Sequence, residues 1–129
     1  MVCLDSDITI NFLRKKEHAV KKIKELRDKE IKLSTTSINT FELFRGFIDS
    51  EKYSPDIFNS FLNNINILNF DLEASKKAAE IFEYLKVRGE LLDLADIMIA
   101  ATVIRNNETL LTENIKHLKR IPDLNIEGI

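Results

Sequence analysis

Asp5, Glu42, Asp96 and the Thr112-Glu113-Asn114 corner lie far apart in the chain but share a setting, since each falls at a predicted strand end or in the opening turns of a predicted helix. Val2-Cys3-Leu4 runs directly into Asp5-Ser6-Asp7. A short apolar run bounded by polar residues reads as a buried, parallel-type strand, and open sheets of such strands bind ligands beyond their carboxyl ends. A carboxylate placed there loses hydration and repels other acids, so acids converging on one point call for a cation. Oxygen ligands with no His or Cys cluster favour Mg²⁺ or Mn²⁺ over Zn²⁺.

Each residue also has a purely structural reading. Asp5 can cap the helix that follows it. Asp93 and Asp96 form a D-x-x-D pair suited to an N-cap and a first-turn acid that complements the helix dipole. Asn114 suits a turn. Glu42 can pair with Arg45 on an exposed helix face, although Gly46, four residues on, leaves the patch beside the carboxylate uncovered. The Ser6 and Thr112 hydroxyls are placed to orient a carboxylate or a water, and Asp7 and Asp93 are auxiliary acids.

The elements that must position these residues follow from periodicity. Helices are predicted over Ile8 to Leu13 and Glu17 to Lys29, then a strand at Ile31 to Thr35. Ser37 is predicted to cap a helix from Ile38 to Ile48, and a Tyr53-Ser54-Pro55 turn to introduce another from Asp56 to Asn64. A strand over Ile65 to Phe70 precedes a helix from Leu72 to Arg88, closed by Gly89. A further helix runs from Asp93 to Ile104, with strands at Thr109 to Thr112 and Leu124 to Ile126. This alternation predicts a single α/β domain over residues 1–129, with a mostly parallel sheet of four to five strands and helices on both faces.

Composition narrows the class. With 129 residues, 44% hydrophobic and 31% charged, the chain suits one soluble domain with a sizeable core. The single cysteine, Cys3, excludes disulfides within the chain and a cysteine-based zinc site. The run Ile97 to Ile104 falls short of the roughly 20 residues of a membrane span, and Asp5 and Asp7 interrupt any signal peptide, so a cytoplasmic protein without a membrane partner is expected. A net charge of −2 argues against coating nucleic acid through a global positive field and leaves room for a local basic rim.

In order and context these residues resemble the PIN-domain family, metal-dependent ribonucleases that include the VapC-type toxins of toxin–antitoxin pairs. The opening Leu4-Asp5-Ser6-Asp7 resembles the family's D-[ST]-[ND] strand end, and Thr36 to Gly46 its glutamate helix. Asp96-Ile97-Met98-Ile99-Ala100-Ala101-Thr102 is similar to its D-x-x-I-A-A-T helix start, and Leu110 to Asn114 to its late strand and T-x-[ND] corner. The resemblance implies that Asp5, Glu42 and Asp96 form an acidic triad holding Mg²⁺ or Mn²⁺, and that Asn114 occupies a fourth catalytic position often filled by Asp. An amide there adds no charge. The ion would lower the pKa of a bound water for attack on an RNA phosphodiester and neutralise charge on the phosphate.

An RNA substrate needs cations around such a crevice. Arg14, Lys15 and Lys16, and Lys116, His117, Lys119 and Arg120, are the candidate contacts. Phe41, Phe44, Phe47, Phe58, Phe61 and Leu62 crowd two consecutive helices beyond what one face can bury, which marks a partner groove. The resemblance implies an antitoxin in that groove, and a homodimer. Two rival readings are a haloacid-dehalogenase-type phosphatase, because Asp5-Ser6-Asp7-Ile8-Thr9 also fits D-x-D-x-T, and a degenerate PIN module that only binds a partner.

Overall fold

The computed structural model describes residues 1–50 and 55–129. Its strands are β1 (Val2–Leu4), β2 (Leu33–Thr36), β3 (Asn66–Leu68), β4 (Thr109–Leu111) and β5 (Asn125–Glu127). The helices are α1 (Ser6–Leu13), α2 (Glu17–Asp28), α3 (Ser37–Ser50), α4 (Pro55–Leu62), α5 (Leu72–Val87), α6 (Leu94–Arg105) and α7 (Ile115–Leu118). The strands form one sheet in the order β3-β2-β1-β4-β5, and every neighbouring pair is parallel. From β1 the chain builds outward through β2 and β3, then crosses to the other side of β1 for β4. That reversal opens a crevice above the carboxyl ends of β1 and β4, the position where such sheets bind ligands.

Side chains alternate along each strand, so the two faces of the sheet bury different cores. Cys3 and Leu110 pack with Ala78, Ile81 and Leu85 of α5 and Ile97, Ala100 and Ala101 of α6. Val2, Leu4, Leu33 and Leu111 pack with Ile8 and Ile23, and with Leu43, Phe47, Phe58 and Phe61 of the α3–α4 pair. Burying a side chain such as Leu4 or Phe58 contributes about 1.5–3 kcal/mol. The expected helices on both faces are present, and the sheet is wholly parallel with five strands.

Boundaries differ from the sequence expectation where pairing or capping decides them. The second strand is Leu33–Thr36 because its register against β1 begins at the Val2–Leu33 pair. Ser37 does not cap α3. Thr36 does: its Oγ1 accepts the Asn39 N–H at 3.1 Å, and Asn39 Oδ1 accepts the Thr36 N–H at 3.3 Å. This is a reciprocal capping box with Asn at its third position. The Ser37 hydroxyl instead accepts the Phe70 N–H at 3.2 Å, tying the exit of β3 to the start of α3. Asp71 caps α5 through the Ala74 N–H, and Gly89 stands just beyond the helix at φ 66°. Of the predicted Tyr53-Ser54-Pro55 turn, Tyr53 and Ser54 lie outside the described residues and Pro55 opens α4. Among the described residues no helix is long and apolar enough to cross a membrane.

Candidate active site

Asp5 ends β1, and its own N–H donates to the Leu111 carbonyl at 3.0 Å, so the acid is registered against β4. Its side chain is 8% exposed. Oδ1 accepts the Ser6 N–H at 2.9 Å and the Asn39 amide at 3.1 Å, while Oδ2 accepts the Thr112 hydroxyl at 2.8 Å. Three donors offset the cost of burying the carboxylate. Asp5 is therefore both the cap of α1 and the centre of a network drawn from four elements.

Glu42 is brought to the same place from α3. The Ser6 hydroxyl donates to Glu42 Oε1 at 2.8 Å, and the Asn39 amide donates to Ser6 Oγ at 2.8 Å. The alternative pairing with Arg45 is not adopted, since that guanidinium lies 5.8 Å from the centre of the Phe41 ring. A side chain added at Gly46 would meet nothing within 4 Å, in keeping with an open surface beside the acid.

Asp96 sits half-buried in the first turn of α6. Burial raises its pKa to about 6, with the charges of Asp5, Glu42 and Asp93 adding to the rise in that order. Asp7 is likewise raised to about 6, by burial first and by Asp5 next, against the lowering effect of N–H bonds from Glu113 and Ile8. Asp5, Glu42 and Asp96 thus share one electrostatic neighbourhood at the carboxyl edge. They do not close into a ligand shell: among the described residues no three acids, histidines or cysteines are gathered as a metal cage. The expected convergence within one coordination sphere is in that respect corrected. Like charges repel, and Asp5 and Glu42 turn to the protein donors within reach.

Asp93 stands at the N-cap position of α6 without a side-chain capping bond, so the capping role expected of it is not taken up. Asn114 precedes α7, and its Oδ1 lies 2.7 Å from His117 Nδ1. With Asp93, Asp96, Arg120, Leu91 and Leu92, these two residues line a cavity of about 480 Å³. Lys116 and Lys119 are exposed, and neither is among the residues lining that cavity. Arg14, Lys15 and Lys16 occupy the corner between α1 and α2. Residues flanking that corner reach the β4 end, since Asn11 donates to Glu113 Oε2 at 2.8 Å and His18 Nε2 lies 2.6 Å from Glu113 Oε1.

Sequence reasoning missed Asn39, Asn11, His18 and the side chain of Glu113. The T-x-x-N spacing of Thr36 and Asn39 was a usable signal for the capping box. Nothing in the sequence marks a contact between residues as far apart as His18 and Glu113.

A family model for the PIN domain matches residues 2–124. The chain belongs to the PIN-domain family. Within it, Ribonuclease VapC2 of Rickettsia felis is 30% identical over 127 residues, covering 97% of this chain and 95% of that protein. Ribonuclease VapC1 of Methanocaldococcus jannaschii is 29% identical over 126 residues, covering 98% and 85%. The PIN fold seen here is also that of the crystal structure of VapBC2 from Rickettsia felis bound to a DNA fragment from their promoter, with a TM-score of 0.89 at 27% identity, over 100% of this chain and 99% of that one.

Proposed function

We propose that this PIN-domain chain is an endoribonuclease that hydrolyses RNA phosphodiester bonds with Mg²⁺ or Mn²⁺ at Asp5, Glu42 and Asp96, acting in the cytoplasm as the toxin of a toxin–antitoxin pair. The observation that carries it is that three acids, Asp5 just after β1, Glu42 on α3 and Asp96 on α6, share one electrostatic neighbourhood at the crevice where the strand order reverses. The relatives named as ribonucleases support the reaction, and the VapBC structures support the pairing with an antitoxin. The donor chemistry suits a hard divalent cation: the three acids would offer it carboxylate oxygens, and such an ion would relieve their mutual repulsion. When bound, the ion supplies Lewis acidity toward a water and the phosphate.

The chain's own residues hold that donor set in place. Thr112 and Asn39 fix both oxygens of Asp5, and Ser6 fixes Glu42, so these carboxylates keep their aim from the supporting shell. Asn114, with its amide turned onto His117, lies beside the triad without replacing any member of it, which favours an enzyme over a binding-only module. The phosphatase reading needs Asp7 and Thr9 free to act beside Asp5. Asp7 is occupied by N–H donors from Ile8 and Glu113, and Thr9 is fully buried.

On the α3–α4 pair, Phe47, Phe58 and Phe61 are core, as expected, whereas Phe41, Phe44, Ile48 and Ile57 are exposed. This exposed set supports an antitoxin or second-copy interface there. The test is direct. Wild type should cleave RNA with Mn²⁺ and stop in EDTA, and Asp96→Asn should abolish cleavage while its thermal midpoint in EDTA holds or rises, because one crowded charge is gone. Metal-independent cleavage, or full activity in Asp96→Asn, would overturn the reading.

A further inference from the structure

Resting on the ribonuclease reading, we propose that the cavity beside Asp96 is a subsite for one nucleotide of the RNA strand, with Arg120 on its phosphate and His117 accepting a hydrogen bond from its ribose 2′-hydroxyl. His117 lies on α7, three residues after Asn114, with Nδ1 2.7 Å from Asn114 Oδ1. An amide oxygen only accepts, so Nδ1 carries the hydrogen, and in the neutral ring Nε2 is left as an acceptor. Asn114 is the positioning residue that sets this tautomer. Arg120 lines the same cavity and contributes a permanent cation with several fixed donors.

The cavity therefore offers a phosphate-binding cation and a hydrogen-bond acceptor next to the acids. A small free anion suits it poorly, because Asp93 and Asp96 also line the wall. The matching ligand carries a phosphate and, close by, a hydrogen-bond donor. RNA has that pair in every nucleotide, and DNA lacks the donor. At about 480 Å³ the cavity falls within the roughly 300–1,000 Å³ of small-ligand sites, and Leu91 and Leu92 give it an apolar wall for a sugar or base face. The same donor chemistry is available from an exocyclic amine of a base, so the test separates the two sources.

The full chain is titrated in EDTA, by fluorescence anisotropy, with a short fluorescein-labelled RNA strand of mixed sequence, its all-deoxy counterpart, and an amine-free RNA strand in which inosine replaces guanosine, purine riboside replaces adenosine and pyrimidin-2-one riboside replaces cytidine. Wild type should prefer RNA over the deoxy strand by about tenfold, the worth of one hydrogen bond. His117→Phe should remove that preference and leave the deoxy strand's affinity unchanged, and Asn114→Leu should reduce it in part. Arg120→Gln should weaken both strands alike and lower the salt slope by about 0.7. If His117→Phe keeps the preference, or if wild type binds both strands alike and loses affinity for the amine-free RNA, the 2′-hydroxyl assignment is overturned. If Arg120→Gln binds as wild type, the phosphate assignment falls. Wild type that fails to bind RNA here but cleaves it with Mn²⁺ would overturn the subsite, and wild type that does neither would sink the ribonuclease reading itself.

Discussion

Two carboxylates are buried at opposite edges of the same sheet, and their surroundings differ. Asp5, 8% exposed at the carboxyl end of β1, is met by three donors and lies within the field of Asp7 and Asp96. Glu108, 2% exposed just before β4 at the amino edge, accepts the Ser34 hydroxyl and faces the Cys3 thiol. Burial, with Glu108 adding to it, pushes that thiol well above the ordinary range, so Cys3 is an inert core residue. Both acids pay for desolvation. Of the two, only Asp5 has further acids on separate elements within its field, which teaches that burial alone does not single out an acid for chemistry.

Neutralising each acid in turn separates the two edges. Asp5→Asn keeps an oxygen for the Ser6 and Asn39 donors and should still abolish Mn²⁺-dependent RNA cleavage. Glu108→Gln should leave cleavage at the wild-type rate, while Glu108→Leu leaves the Ser34 hydroxyl only the Val2 carbonyl at 3.4 Å and should cost about 0.5–1.5 kcal/mol in urea denaturation. An inactive Glu108→Gln that folds normally would place the amino edge in the mechanism and undo the contrast.

A smaller effect is expected at Asn39, which joins the α3 cap to the Asp5 network. Asn39→Ala should lose about 0.5–2 kcal/mol of stability with the cap, and cleavage with it. Asn39→Asp keeps the acceptor for the Thr36 N–H but replaces the amide donor, 3.1 Å from Asp5 Oδ1, with a like charge. That buried like charge should cost at least as much stability as Asn39→Ala and abolish cleavage. If Asn39→Asp is as active as wild type, the amide does not position Asp5.

The legible parts of this molecule were those governed by local pattern. The apolar run ending in Asp5, the acid opening the apolar α6, and the strand–helix alternation each follow from burial and periodicity, so the fold class and the placing of Asp5 and Asp96 at the carboxyl edge were readable from the chain. Gly46 pointed correctly to an open face beside Glu42. The misreadings arose where partners come from elsewhere. Ser37 has the right chemistry for a cap, but Phe70 claims its hydroxyl, and the Thr36–Asn39 box takes the role. Asp93 occupies a cap position without making the bond. The clamp of Asn11 and His18 on Glu113 depends on how α1 and α2 meet the β4 end, which one sequence does not encode locally.

The smallest effect, and the one that probes the acids' electrostatics without altering them, is the pH dependence of stability in EDTA. Asp7 and Asp96 have folded-state pKa values raised from 3.8 to about 6, so the folded chain holds these protons more tightly than the unfolded chain. The stabilisation from protonation is then fully present below about pH 4 and is lost as pH rises to about 6. Above that the contribution is flat. Both groups are partly exposed, so solvent screening mutes the slope. Urea midpoints should accordingly fall across this window in wild type and fall less in Asp96→Asn. Mn²⁺ favours ionised carboxylates, so it should raise the midpoint more at pH 7.5 than at pH 5. A window unchanged by Asp96→Asn would mean that neither burial nor the neighbouring acids raise the Asp96 pKa, and the electrostatic contrast of the carboxyl edge with Glu108 would lose its main support.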